Sequence, residues 1–324
     1  MHPLSRRGFL AKLAAFALLL GGCAPRPPLR VAVHPWVGYE PMFLARQHGW
    51  LDAGRVRLVE TPSATDSLHL LGSGLVEAAA LTLDEVLRAR ALGVPLIVPM
   101  VFDVSAGADG VLARHPMHLA DLAGARIGVE QSAVGALMLA ALLERAGLAA
   151  DQVQLVSLGF HEHAAAWRAG RIDALITFEP TLSELEAEGA VRLFDSRALP
   201  DTIVDVLAVH PSSLVQHRAA LLHLVQATLR AVHDLVLNRM DAAYRIGARL
   251  RQRPETVLAG LRGLQLTDLG HNRRLLEGSH PLLLERAHEV AAILQGAGIL
   301  PSGDGILQQR LFKDLVHAEY LPVA

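Results

Sequence analysis

The sequence predicts an α/β protein of two similar lobes, each with a mostly parallel sheet flanked by helices, followed by a helical C-terminal segment. Three observations carry this. Short apolar runs alternate with helical patterns from Leu29 to about His210, the βαβα rhythm of strands covered by crossover helices. A unit in the first half returns in the second: Gly74-Leu75-Val76-Glu77-Ala78 parallels Gly170-Arg171-Ile172-Asp173-Ala174, each a Gly turn before an acid and an Ala that open a strand. From Ser212 to Tyr320 the pattern is helical, with breaks at Gly and Pro.

Taken in order, residues 29–33 read as a strand and 41–48 as a helix, with Pro41 in the first turn, where its missing N–H costs nothing. A strand at 56–60 precedes a helix at 63–72. A strand at 77–81 precedes a helix at 84–92, and 95–102 is a long buried-type strand. The second set runs as strands at 110–113 and 126–130, a helix at 135–146, a strand at 153–157, a helix at 163–169, a strand at 173–177 and a helix at 180–188. Strands at 191–194 and 203–210 close it. If the two lobes face each other, strand ends from both line a cleft, the usual place for a ligand in open α/β sheets.

Composition excludes some functions. Lys plus Arg is 30 against 32 Asp plus Glu in 324 residues, so no basic face for nucleic acid is expected. The single Cys leaves no disulfide or Cys-based metal site. That Cys23 follows Leu20-Gly21-Gly22, the pattern of a lipoprotein cleavage box. Ser5-Arg6-Arg7-Gly8-Phe9-Leu10 matches a twin-arginine export address, and the apolar run from Leu13 to Leu20 is too short to span a bilayer. Residues 1–22 are therefore expected to be a signal peptide, with Cys23 lipidated. Acyl chains give about 0.8 kcal/mol of membrane affinity per buried methylene. Residues 23–28, rich in Pro, form a stiff tether. The expected location is the periplasmic face of a bacterial membrane.

The run Val33-His34-Pro35-Trp36-Val37-Gly38-Tyr39-Glu40-Pro41, with Leu44-Ala45 and Gly49 after it, resembles the opening of the nitrate/sulfonate/taurine-type solute-binding proteins. In order there follow Ala80-Leu81-Thr82-Leu83-Asp84-Glu85, Asp103-Val104-Ser105-Ala106-Gly107-Ala108-Asp109, Leu122 to Glu130, and Gly170 to Ala174 leading to Glu179-Pro180. The resemblance covers roughly residues 29–210. It implies a periplasmic-binding-protein fold of the second topological type, with two strands crossing between lobes near 101–110 and 196–204. Lobe one would be 29–104 plus 200–324, and lobe two 105–199. It also implies a monomer that passes a small-molecule solute to an ABC permease and its ATPase, with no cofactor. The chain has no Gly-x-x-x-x-Gly-Lys loop of its own.

Several residues are candidates for the cleft, each beside a plainer reading. Trp36 and Tyr39 follow the first strand and can wall a pocket for a planar or cationic solute, or simply pack the lobe. Gly38 lets the backbone approach closely. Ser63 and Thr65 begin one helix and Ser132 another; helix N-termini suit a sulfonate, nitrate or carboxylate, but Ser and Thr also cap helices everywhere. Asp84, Glu85, Asp109, Glu130 and Glu179 follow apolar strands or lie near the crossing, with Asp103 and Ser105 beside the hinge. Several carboxylates around one cleft favour a zwitterion or a solute with an amine, amidine or urea-like group. Glu179 and Asp109 are the leading candidates, against the reading that each acid caps a helix or pairs with Arg. His161-Glu162-His163 has metal-ligand residue types but reads as a solvated helix start. A solute-sensing lipoprotein and an enzyme on the same fold, as in synthases of thiamine pyrimidine, are the alternatives to import.

Overall fold

The computed structural model describes residues 27–303 and 305–323. The expected signal peptide, Cys23 and most of the tether lie outside the described residues.

In chain order the elements are β1 (Leu29–Val33), α1 (Glu40–Gln47), β2 (Val56–Glu60), α2 (Ala64–Gly72), β3 (Ala78–Thr82), α3 (Leu83–Ala91), β4 (Ile97–Ser105) and β5 (Asp109–Ala113). There follow β6 (Arg126–Val129), α4 (Gly135–Ala146), β7 (Gln154–Ser157), α5 (His163–Arg168), β8 (Ala174–Phe178), α6 (Thr181–Ala187), β9 (Val191–Asp195) and β10 (Val204–Val209). The C-terminal segment holds α7 (Leu214–Leu237), α8 (Arg239–Leu250), α9 (Pro254–Arg262), β11 (Leu264–Leu266), α10 (Leu269–Leu276), α11 (Leu282–Gly296) and α12 (Gly305–Phe312).

The strands form two sheets. One has the order β11-β4-β10-β3-β1-β2 and the other β7-β6-β8-β5-β9. The expectation of mostly parallel sheets needs a correction: both are mixed. β2-β1-β3 and β7-β6-β8 are parallel, as the crossover helices require. The strands at the crossings break the pattern. β10 runs antiparallel to both β3 and β4, and β5 runs antiparallel to both β8 and β9. β4 leaves the first sheet as β10 returns to it, so these neighbours must point in opposite directions.

The core follows the sequence pattern. All nine residues of β4 are buried, as are all of β3, β5, β8 and β10. Pro99 fits inside β4 because the pairing with β10 skips from Met100 to Ile97, a register irregularity where no ladder donor is needed. α4 buries Leu137, Met138, Ala141 and Leu142 and ends at Gly147, whose positive φ of 67° is the usual helix stop. One element was not foreseen: β11, three residues within the helical segment, which extends the first sheet beside β4 at Leu266↔Asp103. Three residues are too few to show a period.

The chain passes between sheets twice, from Ser105 to Asp109 and from Asp195 to Val204. The two passages are bonded together. Ser105 N donates to Ile203 O at 2.9 Å, the hydroxyls of Ser105 and Ser196 lie 2.8 Å apart, and Gly107 N donates to Ser196 Oγ at 2.7 Å.

Candidate functional site

Parallel strands bring their carboxyl ends to the edge where the sheets face each other, and the antiparallel crossing strands bring their amino ends there. So His34 follows β1, Thr82 ends β3, Glu130 follows β6 and Phe178 ends β8, while Asp109 opens β5 and Asp205 lies second in β10. These residues surround two cavities between the lobes, one lined by His34, Trp36, Thr82, Glu85, Asp109 and Asp205, the other by Asp109, Glu130, Met138, His163 and Thr177. Val134 and Phe178 line both. Each has a volume of about 10 Å³, barely room for one water. The lobes are closed on each other.

On the first lobe Asp103 and Asp205 are register partners across β4 and β10, both fully buried. Trp36 Nε1 donates to Asp103 Oδ2 at 3.3 Å, and Tyr39 Oη donates to Asp205 Oδ1 at 2.5 Å. Gly38 is what makes room: a Cβ there would sit 1.9 Å from Asp103 Oδ2 and 2.5 Å from Trp36 Nε1. Burial pushes the Asp103 carboxyl up to about 8, with the Trp36 hydrogen bond opposing. Burial, and then the charge of Asp103, push Asp205 well above the usual carboxylate range. Burial also holds His34 neutral, its imidazole lowered to about 3.

Two glutamates cross the cleft. Glu85, in the first turn of α3, accepts from Thr82 N at 2.9 Å within its own lobe, and its other oxygen accepts from Val134 N, ahead of α4 on the second lobe, at 3.2 Å. Glu130, from the second lobe, accepts from Thr65 N at 3.0 Å and from the Thr65 hydroxyl, both at the start of α2 on the first. Thr65 Oγ1 also lies 2.5 Å from Ser132 Oγ. Arg88, one turn beyond Glu85, donates to the carbonyls of Gln131 and Ala133 at 3.2 and 3.3 Å. Burial pushes Glu85 up to about 8, with the charge of Asp84 adding to it. Burial also raises Asp84, against the Thr82 hydroxyl and Arg88.

On the second lobe Asp109 is buried, Oδ2 has no partner among the described residues, and burial raises the carboxyl to about 7. His163 shares a 3.0 Å hydrogen bond with Thr177 Oγ1. Its Nε2 has no partner among the described residues, and burial lowers the ring to about 4. Phe178 stacks on Phe160 at 4.3 Å between centroids and meets the edge of Trp36 at 5.6 Å.

The structure thus brings together Trp36, Glu85, Asp109 and Glu130 around the cavities, with Thr65 bonded to Glu130 and to Ser132. Gly38 and Tyr39 lie behind the wall as supports. Ser63 caps α2, its Oγ accepting from Asp66 N at 3.2 Å. Ser105 lies at the crossing. Glu179 turns to its own helix, where Ser183 Oγ donates to it at 2.7 Å and Ser183 N at 3.2 Å. His161 is exposed while His163 is buried, so that motif does not converge. Sequence reasoning passed over His34, Thr82, Phe178 and Asp205. Asp205, an acid inside the apolar run Val204–Val209, was the available signal.

Neither cavity is lined by a Lys or Arg among the described residues. A closed, acid-rich cleft with unpartnered acceptors at Asp109 Oδ2 and Glu130 Oε2 is suited to a group that brings hydrogen-bond donors or positive charge.

Comparison with known proteins agrees with the fold. The alkanesulfonate-binding protein SsuA of Xanthomonas axonopodis pv. citri, solved with MOPS, superposes with a TM-score of 0.71 at 19% identity, covering 86% of this chain and 96% of that one. The desulfurization enzyme DSZB superposes at 0.65 and 19% identity, over 90% and 97%. In sequence, an Escherichia coli (strain K12) protein named for aliphatic sulfonate binding is 24% identical over 235 residues, 69% of this chain and 73% of that protein. The NMT1/THI5-like family model matches residues 36–242, and the chain belongs to that family.

Proposed function

We propose that this chain is the extracytoplasmic solute-binding component of an ABC importer, exported under a twin-arginine signal and anchored by lipid on Cys23. It captures one small organic solute between its lobes as a monomer and hands it to a membrane permease. Closure of hinged lobes over a ligand is the expected motion. The reading rests on one observation: two lobes joined by paired crossings close over a cleft built from the strand ends of both. Family membership and the E. coli relative named for binding favour capture over chemistry, although DSZB shows that the fold also serves an enzyme.

The solute carries a cationic or donor-rich part, such as an amine, amidine or urea-like group, because Glu85, Asp109, Glu130 and Asp205 line these two cavities with no Lys or Arg beside them among the described residues. A thermal-shift screen of the purified protein tests this. The panel holds small amines, guanidine compounds, urea, thiamine pyrimidines, taurine, alkanesulfonates, nitrate and bicarbonate. A solute at 100 times its Kd stabilises by about 2.7 kcal/mol, a shift of at least a few degrees. A response to the amines and guanidines is expected. A response confined to nitrate or simple sulfonates overturns the solute class, and silence across the panel counts against capture of solutes of these kinds.

A further inference from the structure

Helix N-termini carry free amide donors and the positive end of the helix dipole, so they are the natural seats for an anionic solute. Two of those at this cleft, the starts of α2 (nine residues) and α4 (twelve residues), take a partner from the opposite lobe. Each is already occupied by a carboxylate of the protein. Glu130 of the second lobe sits on Thr65 N at α2, and Glu85 of the first lobe sits on Val134 N at α4. The exchange is reciprocal: each lobe supplies the carboxyl acceptor for the other lobe's helix. Both glutamates are buried, at 4% and 1% exposure, and Arg88 ties the same two segments through the Gln131 and Ala133 carbonyls.

We propose that Glu130 and Glu85 act as resident acceptors, each filling from the opposite lobe the helix N-terminus that an anionic solute would use. The cleft therefore closes without an external anion and takes organic cations that bear no sulfonate or carboxylate. A carboxyl group tethered on the opposite lobe competes at high effective concentration, so a free sulfonate competes with an acceptor that returns whenever the lobes close. The contacts exist only when the lobes meet, so they also bias the ligand-free chain toward closure. Glu130 Oε2, buried and without a partner among the described residues, remains for the solute's donor. The inference rests on the solute-binding reading and refines its ligand class.

The test is small-angle scattering combined with titration of ethanesulfonate, on the purified wild-type protein and on the Glu85→Ala/Glu130→Ala double variant. The wild type is expected to be compact alone and indifferent to ethanesulfonate. The double variant is expected to have a larger radius of gyration, to contract on adding ethanesulfonate, and to bind it roughly ten- to a hundredfold more tightly, the worth of one charge-assisted hydrogen bond. If the Ala pair does not melt cooperatively, the single Glu130→Ala variant gives the same test at the start of α2, with the same direction expected. Equal radii for wild type and variant, or a wild type that binds ethanesulfonate as tightly as the variant, overturns the proposal. Neither readout needs the transported solute, so this failure leaves the importer reading standing.

Discussion

Asp103 and Asp205 stand opposite one another across β4 and β10, both buried, one accepting from Trp36 and the other from Tyr39. Like charges directly opposed on a sheet repel, and burial removes the water that would screen them. The pair therefore keeps a proton at pH values where isolated aspartates are ionised, and this has consequences that can be measured.

The first is a stability profile tilted toward acid. Asp103 and Glu85 are raised to about 8 and Asp109 to about 7, against roughly 4 in an unfolded chain. Folded pKa values above unfolded ones mean stability that is full below about pH 4 and lost as the pH rises toward 8. Each such carboxyl forfeits roughly 1.4 kcal/mol per pH unit over which only the folded form holds its proton. His34 and His163, held neutral by burial, gain stability with pH only up to about 6.5, so melting of the solute-free protein between about pH 6.5 and 8 should show Tm falling with pH; a flat or rising profile there contradicts the buried-acid arrangement.

Asp109→Asn removes one of these buried charges without changing shape. The solute-free protein should melt higher at pH 8 than the wild type. Affinity for a cationic solute should drop about tenfold or more, as expected when a charged hydrogen bond is lost. Calorimetric titration alongside melting separates the two effects. Glu179→Gln should weaken binding less, because Glu179 already spends both oxygens on Ser183.

Gly38→Ala places a methyl into the Asp103 carboxylate and the Trp36 ring nitrogen. Overpacking of this kind costs about 1–3 kcal/mol. Chemical denaturation should show a lower midpoint with an unchanged slope. Wild-type stability in this variant would mean that the Trp36–Asp103 contact is not held as described.

Ser196→Ala strips the acceptor for Gly107 N and the partner of the Ser105 hydroxyl. Leaving a buried donor unpaired costs about 1–3 kcal/mol. Hydrogen exchange at Gly107 should accelerate in the variant; exchange as slow as in the wild type would show that the amide has another partner.

Much of this was legible in the sequence. The alternation of apolar runs and helical periods placed ten of the eleven strands among the described residues, because burial on both faces leaves near-continuous apolar segments. Strand direction was not legible: nothing in Val204–Val209 says that it returns antiparallel beside β4. That single fact hid Asp205, since candidate acids were sought after strands, and an antiparallel strand offers its beginning to the cleft. The glutamates were found by the same rule, but not their partners. Periodicity places Glu130 after β6 and Thr65 in α2, and only the fold shows that one lies on the other. Glu179 illustrates the reverse. Its position suggested the cleft, but Ser183, one helical turn later, was a local partner that a lone carboxylate readily takes.

The paired crossings have one more consequence. β4 and β10 are bonded neighbours, and the Ser105–Ser196 contact joins the two passages at nearly one point. A door hung on a single pin can swing but cannot slide, and its angle follows from the position of any one spot on it. The lobes are hung the same way, so a single distance from one lobe to the other reports the full state of the molecule. Two dyes, one on exposed Leu92 and one on exposed Gln154, would turn this chain into a gauge of its own solute.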